Sequence, residues 1–342
     1  MTTQFGTPPA DTPDAELLSR AFQLGAPIGN LARVEGGRLN RVWKLRTTEG
    51  SFAIKQLNPT VAARHPRVLD RFRATEQIAA TFAMAGIPAV VARDAETDPL
   101  REVDGSWFLA YPWIDGSTAD LATVTVEQAR TAGELIGRLH SRDLRHAGVP
   151  AVDWRSVSTE QWRALAGRSR GQPWATPLEG MLPPLIAMSD DYRAAAKALR
   201  DRPVLVSHRD VDHTNVLWRD GAAWLIDWEG TAWTNPMVEL AGAAIAWSGF
   251  SDGRSDEAIF RAVLDGYQEA ARLSVEDAIA ALAAAIGGSL DWQEFSVRRA
   301  LGEAFTEEDR EVGIAQTVSN LNALSKVAQH GPKWREWLLA PG

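Results

Sequence analysis

Two short polar segments carry residue types that suit phosphoryl transfer. The first contains Asp210 and, five positions later, Asn215, and the second places Asp227 twelve positions beyond Asn215. Each segment follows a short apolar run typical of a β-strand, so both are predicted to lie at strand ends. A carboxylate can orient an attacking hydroxyl and accept its proton, and Asn and Asp oxygens suit the hard cation Mg²⁺.

Phosphoryl transfer also needs a cation on the phosphates, and Lys55 is the candidate. It lies in the second run of a predicted hairpin, in which residues 41–46 and 51–57 are joined by a turn. Strand alternation places Ala53, Lys55 and Leu57 on one face of this strand, and Phe52 and Ile54 on the other.

A helix is predicted after the hairpin, from Pro66 to about Ala85, ended by Gly86 and Pro88. Glu76 lies within its apolar stripe. A lone Glu on a helix is usually a surface charge, but this position favours burial beside a charged partner.

The chain as a whole predicts an α+β protein of two lobes. Strands with one helix occupy about 27–112, and mostly helix follows, interrupted by a β-rich stretch at 203–228. The boundaries predicted are 1–112 for a small strand-rich lobe and 113–342 for a larger helical lobe. Helices are predicted over 236–247, 257–270, 274–287 and 307–329, the last with Ile314, Val318, Leu321 and Ala328 on one side.

Composition narrows the class of partner. The 342 residues include 36 Lys and Arg against 44 Asp and Glu, a net charge of −8, which disfavours nucleic-acid and anionic-membrane binding and suits a cationic partner. Cys is absent, which excludes disulfides, thiolate metal sites and cysteine nucleophiles. The acidic start and the lack of a long apolar run predict a cytoplasmic protein without a signal peptide or membrane span.

The order of these segments resembles the protein-kinase-like enzymes. Phe52-Ala53-Ile54-Lys55 is similar to their lysine strand, and His208-Arg209-Asp210 with Asn215 to their catalytic loop. Ile226-Asp227-Trp228-Glu229 replaces Asp-Phe-Gly, and the chain then enters a helix without an activation segment. This combination resembles the aminoglycoside phosphotransferase family and its small-molecule kinase relatives over about residues 27–270. It implies a bilobal kinase-like fold, with a small antiparallel sheet in the N-lobe and a mainly helical C-lobe.

The resemblance implies a role for each matching residue. Asp210 would be the catalytic base, and Asn215 and Asp227 would hold Mg²⁺. Lys55 would contact the phosphates of ATP, with GTP as the alternative donor, and Glu76 would be its ion-pair partner.

The remaining nucleotide contacts also follow from the resemblance. Ala53 would line the adenine pocket, and the backbone of Ala110, Tyr111 and Trp113 would bind the adenine edge. Asn40 ends the phosphate-loop candidate at 35–40, which lacks the full glycine spacing. Arg209 stands where antibiotic kinases commonly have Gly.

Four acids are candidates for binding the acceptor: Asp212, Glu229, Asp291 and Glu294. Each could instead be an ordinary surface acid, and Asp212 could brace its own loop. The function implied is ATP- and Mg²⁺-dependent phosphorylation of a hydroxyl of a small molecule. The first choice of acceptor is an aminoglycoside or other natural-product antibiotic. The protein is expected to be a monomer or a homodimer. A metabolic kinase for an amino sugar, sugar or amino alcohol is the alternative. A pseudokinase is disfavoured because the base, both metal ligands and the lysine are all present.

Overall fold

The computed structural model describes residues 12–34, 40–58, 66–146, 148–303 and 306–339. These fall into two compact units. One holds the described chain up to Met84 together with Ala89–Asp115, and the other holds Ala85–Pro88 and the described chain from Gly116 onward. The phosphate-loop candidate at 35–39 lies outside the described residues.

The segment Ala85–Pro88 clusters with the second unit, although the sequence places it in the first lobe. Its carbonyl groups explain this difference. Arg142 donates to the carbonyl of Ala85 at 2.7 Å, and Arg138 donates to that of Gly86 at 2.5 Å. The carbonyl of Pro88 accepts from the backbone N–H of Leu225 at 2.7 Å.

The first unit is an antiparallel sheet with a helix on each face. Its described elements are α1 (Ala15–Phe22), β1 (Ala32–Val34), β2 (Arg41–Thr47), β3 (Gly50–Gln56), α2 (Pro66–Met84), β4 (Arg101–Val103) and β5 (Ser106–Pro112). The strand order is β1-β2-β3-β5-β4. Asp14 caps α1, since its carboxylate accepts from the N–H groups of Glu16 and Leu17.

Strand alternation divides the apolar residues of the sheet between two cores, as the sequence predicts. Ile54 packs with Trp43 and with Phe22 of α1 on one face. Leu57 packs with Phe72 of α2 on the other face. Lys55 has the same parity as Leu57, so it belongs to the face that α2 covers.

The second unit is mainly helical. Its described elements are β6 (Ser117–Thr118), α3 (Val126–His140), α4 (Thr159–Arg168), α5 (Ala175–Leu199), β7 (Leu205–Ser207), β8 (Val216–Arg219), β9 (Ala222–Leu225), β10 (Ala232–Thr234), α6 (Pro236–Trp247), α7 (Glu257–Ala270), α8 (Val275–Arg298), α9 (Glu307–Leu324) and α10 (Val327–Leu339). Small sheets pair β7 with β10, and β8 with both β6 and β9. Within the described residues, no helix has the length and apolarity to cross a membrane.

Glycines let α3 and α7 approach closely. A Cβ added at Gly133 would lie 2.0 Å from the carbonyl oxygen of Val263, and one at Gly266 would lie 1.9 Å from that of Arg130. Both contacts are with backbone, which cannot rotate away as a side chain can. This close crossing holds His140, at the end of α3, beside Tyr267 of α7.

Two predicted helices differ from the structure. The helix predicted over 274–287 continues as α8 to Arg298. The stretch 307–329 is two helices, and the predicted apolar face is only partly correct, because Leu321 is buried whereas Val318 is 48% exposed. The buried face of α9 includes Gly313 and Thr317 besides Leu321. A Cβ at Gly313 would lie 2.8 Å from the backbone nitrogen of Ala300, so a small residue, rather than an apolar stripe, permits this packing.

Candidate active site

A tight hairpin brings Asn215 and Asp227 to the same end of one sheet. Asp220 and Gly221, both with positive φ, form the turn between β8 and β9, the geometry that an Asp-Gly hairpin favours. The resulting register pairs Val216 with Leu225, and the N–H of Ile226 donates to the carbonyl of Asn215 at 3.0 Å. The two metal-ligand candidates therefore leave the hairpin side by side.

Asn215 is oriented by Asp210. Its Nδ2 donates to both the backbone oxygen and Oδ2 of Asp210, each at 2.9 Å. Asn215 is buried, whereas Asp210 is exposed. These bonds fix which end of the amide is nitrogen and leave Oδ1, the better cation ligand, on the opposite side.

His208 joins the two polar segments. Its Nε2 lies 2.9 Å from the carbonyl oxygen of Ile226, and its Nδ1 accepts from the N–H of Asp210 at 3.3 Å. This pattern assigns the proton to Nε2. Full burial lowers the pKa of His208, so the ring stays neutral, and it packs edge-on to Trp228 with 4.6 Å between centroids.

A buried carboxylate on α6 holds the residue before Asp210. Arg209 has a left-handed backbone, φ 68, and its N–H donates to Oε1 of Glu239 at 2.7 Å. The Oε2 atom of Glu239 lies 3.2 Å from Nε2 of His140, whose Nδ1 is 3.2 Å from the hydroxyl of Tyr267. Burial opposes the charge of Glu239, but the bonds from His140 and Arg209 hold its pKa below the ordinary value.

No motif in the sequence singles out Glu239. A weaker signal is present, because Glu239 is the one charged residue in the apolar run 236–247. A charge enclosed in such a run needs a buried partner. The left-handed conformation of Arg209 also explains why Gly is suited to this position, since Gly adopts positive φ without steric cost.

Asp212 braces the catalytic loop. Its Oδ1 accepts from the N–H and the hydroxyl of Thr214, at 2.8 and 2.6 Å, and from the N–H of Asn215 at 3.2 Å. Of the two interpretations left open by the sequence, these bonds favour the bracing one. The side chain shapes the turn that carries Asn215.

In the first unit, Lys55 and Glu76 are both buried, at 8% and 2% exposure. The strand register sets Lys55 opposite Leu109, on the face of the sheet covered by α2, and α2 carries Glu76. The carboxylate of Glu76 accepts from the hydroxyl of Tyr111 at 2.7 Å and from the N–H of Ala92 at 3.4 Å. Their ion pair remains a prediction, now placed on one face of one unit.

The predicted adenine-binding strand is partly used by its own sheet. The N–H of Trp113 donates to the carbonyl of Ser51 at 3.0 Å, and the carbonyl of Ala110 accepts from the N–H of Arg93 at 2.7 Å. Tyr111 lies opposite Ala53. The N–H of Trp113 and the carbonyl of Ala110 thus already have backbone partners, and adenine binding by this strand stays a prediction.

Two further predicted nucleotide contacts also have structural roles. Oδ1 of Asn40 accepts from the N–H of Asn58 at 3.0 Å, which ties the start of β2 to the end of β3. The indole of Trp113 donates to Asp115 at 2.6 Å, and Nζ of Lys44 lies 4.2 Å from its ring centroid.

The remaining acceptor candidates differ in their pairing. Glu229 is half-buried in the turn directly after Asp227. On α8, Glu294 pairs with Arg298 at 2.7 Å. Asp291 lies one turn earlier, and desolvation by surrounding protein raises its pKa to about 6, although the side chain is reached by solvent.

The model of the phosphotransferase enzyme family, APH, matches residues 30–273. The chain belongs to this family. The match confirms the predicted family and the class of enzyme, a kinase that phosphorylates hydroxyl groups. No significant match was found among curated proteins.

Solved structures support the kinase-like fold of this phosphotransferase. A spectinomycin phosphotransferase in complex with ADP and spectinomycin is similar with a TM-score of 0.64 at 12% identity, over 91% of this chain and 97% of that chain. An amicoumacin kinase with AMP-PNP and Ca²⁺ gives 0.58 at 11% identity, over 85% and 88%. The choline kinase of Streptococcus pneumoniae gives 0.58 at 15%, over 90% and 96%.

Proposed function

We propose that this phosphotransferase uses ATP and Mg²⁺ to phosphorylate a hydroxyl of a small molecule, with Asp210 as the base. The observation that carries the proposal is the double hydrogen bond from Asn215 to Asp210. It fixes the base and one metal ligand as a single unit at the end of a braced loop. Asp210 is exposed, so an acceptor hydroxyl can reach its carboxylate.

The donor set fits Mg²⁺. Asn215 presents Oδ1 away from its hydrogen-bonded nitrogen, and Asp227 leaves the adjoining strand at the same end of the hairpin. Hard oxygen ligands of this kind are those that Mg²⁺ prefers, with phosphate oxygens completing the shell. When bound, the metal would neutralise phosphate charge. Asp210 would orient the acceptor hydroxyl and take its proton.

For the nucleotide, we assign Lys55 to the phosphates and Glu76 to its orientation. The N–H of Trp113 faces β3, because it donates to the carbonyl of Ser51. Backbone groups of successive residues in a strand face opposite sides, so the carbonyl of Pro112 faces away from β3. We therefore assign adenine recognition to the backbone carbonyl of Pro112 and the amide of Ile114. Pro112 lies within the segment 110–113 predicted from the sequence, and Ile114 directly follows it.

For the acceptor, an amine-bearing natural product, as in antibiotic resistance kinases, is the first choice. The likeness to spectinomycin and amicoumacin kinases supports it. A metabolic amino-alcohol kinase is the second, supported by the likeness to a choline kinase over 96% of that chain. Asp291 supports an amine in both cases, because its partly desolvated carboxylate gains from an ammonium partner.

ADP release tests this function. Purified protein with MgATP is assayed against aminoglycosides, other amine-bearing antibiotics, amino alcohols and amino sugars, with Asp210→Asn as the matched inactive control. We expect acceptor-dependent ADP release by the wild type only. If no acceptor stimulates release, or if Asp210→Asn releases ADP equally, the proposal is wrong.

A further inference from the structure

A buried tyrosine on α7 meets the histidine that ends α3. The hydroxyl of Tyr267 lies 3.2 Å from Nδ1 of His140, and the two rings meet edge-on with 5.5 Å between their centroids. Both side chains are buried. The backbone fixes this contact as well, because a Cβ added at Gly137, one turn before His140, would lie 2.7 Å from the carbonyl oxygen of Tyr267.

The directions of the hydrogen bonds follow from the carboxylate at one end. Ionised Glu239 can only accept, so Nε2 of His140, which lies 3.2 Å from its Oε2, carries the proton. In a neutral imidazole the other nitrogen is an acceptor, and the hydroxyl of Tyr267 donates to it. Burial and the charge of Glu239 raise the pKa of Tyr267, so this hydroxyl keeps its proton. Tyr267 therefore holds His140 in the tautomer that donates to Glu239.

The other oxygen of Glu239 acts on the catalytic loop. Its Oε1 accepts from the N–H of Arg209 at 2.7 Å, and Arg209 has a left-handed backbone with φ 68. This conformation is unfavourable for a residue with a Cβ, so a fixed acceptor is needed to maintain it. Because a carboxylate is rigid, the bond from His140 to Oε2 also sets the position of Oε1. Asp210 directly follows this turn, and its direction depends on it.

We propose that His140 and Tyr267 are positioning residues for the catalytic base, Asp210. Tyr267 sets the tautomer of His140. The ring of His140 in turn orients the carboxylate of Glu239, which holds the left-handed turn before the base. This inference rests on the proposed function, because it takes Asp210 as the base. It extends the set of residues on which phosphoryl transfer depends to α3 and α7.

The first test examines the loop without any turnover. Exchange of the Arg209 N–H with D₂O is followed by NMR in the wild type, in Tyr267→Phe and in Tyr192→Phe. We expect Tyr267→Phe to speed this exchange about 2- to 10-fold, the range for the loss of one neutral hydrogen bond. Tyr192→Phe is the matched control, because Tyr192 is also buried and donates one hydrogen bond, to the carbonyl of Asp153 at 3.4 Å. It should leave the exchange of the Arg209 N–H unchanged.

The second test asks whether Tyr267 acts through Glu239. In the wild-type background, Tyr267→Phe is expected to lower kcat about 2- to 10-fold while KM for MgATP stays the same. In the background of Glu239→Gln, we expect the same substitution to lower kcat further by less than about twofold, because residues of one hydrogen-bond network are coupled. Two independent effects would instead multiply.

Variants of His140 separate its donor from its ring. The terminal amide of Gln reaches about as far as Nε2 of His and can still donate to Glu239, whereas Leu cannot. We therefore expect His140→Gln to retain more of the wild-type kcat than His140→Leu, and to speed exchange of the Arg209 N–H less. Urea denaturation checks that each variant is folded.

The proposal is overturned if Tyr267→Phe leaves exchange of the Arg209 N–H at the wild-type rate, or if Tyr192→Phe speeds it equally. It is also overturned if Tyr267→Phe and Glu239→Gln lower kcat independently, or if His140→Leu is as active as His140→Gln. Failure of the proposed function has a different signature. In that case no acceptor stimulates ADP release by the wild type, while exchange of the Arg209 N–H still responds to Tyr267→Phe.

Discussion

Removing the carboxylate of Glu239 is expected to damage both stability and catalysis from a position remote from solvent. Glu239 is 6% exposed and accepts from Arg209 at 2.7 Å and from His140 at 3.2 Å. Hydrogen bonds to charged groups contribute about 1.5–3 kcal/mol each. Glu239→Ala, which leaves both donors without this acceptor, should therefore lower the free energy of unfolding by roughly 3–6 kcal/mol.

Glu239→Gln separates charge from shape. The Gln side chain can still accept from the N–H of Arg209, but its amide nitrogen must face His140, which then has to adopt the other tautomer. Two charge-assisted bonds become neutral, at a cost of about 1–2 kcal/mol. Glu134→Gln is the control, because Glu134 is only half-buried and pairs with Arg138 at 3.8 Å. We expect it to cost less than about 0.5 kcal/mol.

Urea denaturation and steady-state kinetics measure these effects together. In Glu239→Gln the bond from the N–H of Arg209 has a neutral acceptor and is weaker, so the left-handed backbone of Arg209 is held less firmly and Asp210 shifts. We expect Glu239→Gln to lower kcat at least about tenfold, the effect of roughly 1.4 kcal/mol in the transition state, with little change in KM for MgATP. Two results together would refute this role of Glu239. They are a wild-type kcat in Glu239→Gln and, in Glu239→Ala, a midpoint of unfolding at the same urea concentration as in the wild type.

The other predictions concern loop, charge and helix packing. Asp212→Ala should lower kcat for every acceptor without raising KM selectively for amines. Steady-state kinetics with each acceptor of the panel check this. A rise in KM for amines alone would instead favour a substrate-binding role for Asp212. The raised pKa of Asp291, about 6, means that folding favours its protonated form, so the ionised side chain costs stability as pH rises from about 4 through 6. Asp291→Asn should thus stabilise the protein more at pH 8 than at pH 4.5 in thermal denaturation, and an equal effect at both would contradict the pKa. Gly266→Ala should cost about 3 kcal/mol or more, whereas Gly288→Ala, with open space around its Cβ position, should stabilise the exposed helix position by about 0.5–1 kcal/mol; urea denaturation of both variants measures the difference.

The fold could be predicted wherever a local pattern determines the element. The alternation of Phe52, Ile54 and Leu57 assigned the faces of β3 correctly, since parity along a strand needs no knowledge of its neighbours. The buried face of α9 could not be predicted from apolar spacing. It depends on Gly313, whose small size matters only against the backbone of Ala300.

In the candidate site, too, only the residues that belong to a local sequence pattern could be predicted. Asp210, Asn215 and Asp227 belong to short segments whose spacing carries the signal, and the Asp-Gly turn sets their register. Glu239 lies far along the chain from Asp210, and no local pattern links it to the loop that it supports. The backbone partners of Trp113 and Ala110 could not be predicted, because residue type does not reveal which side of a strand a carbonyl or N–H faces.

Transfer of phosphate in a single turnover tests the central claim most directly. Wild type and Asp210→Asn are each mixed with MgATP and the best acceptor from the panel, and the phosphorylated product is followed by ³¹P NMR while calorimetry measures MgATP affinity. We expect transfer to fall by roughly 10²–10⁴-fold in Asp210→Asn, with MgATP affinity changed by only a few fold. Transfer at the wild-type rate by Asp210→Asn would contradict the assignment of Asp210 as the base.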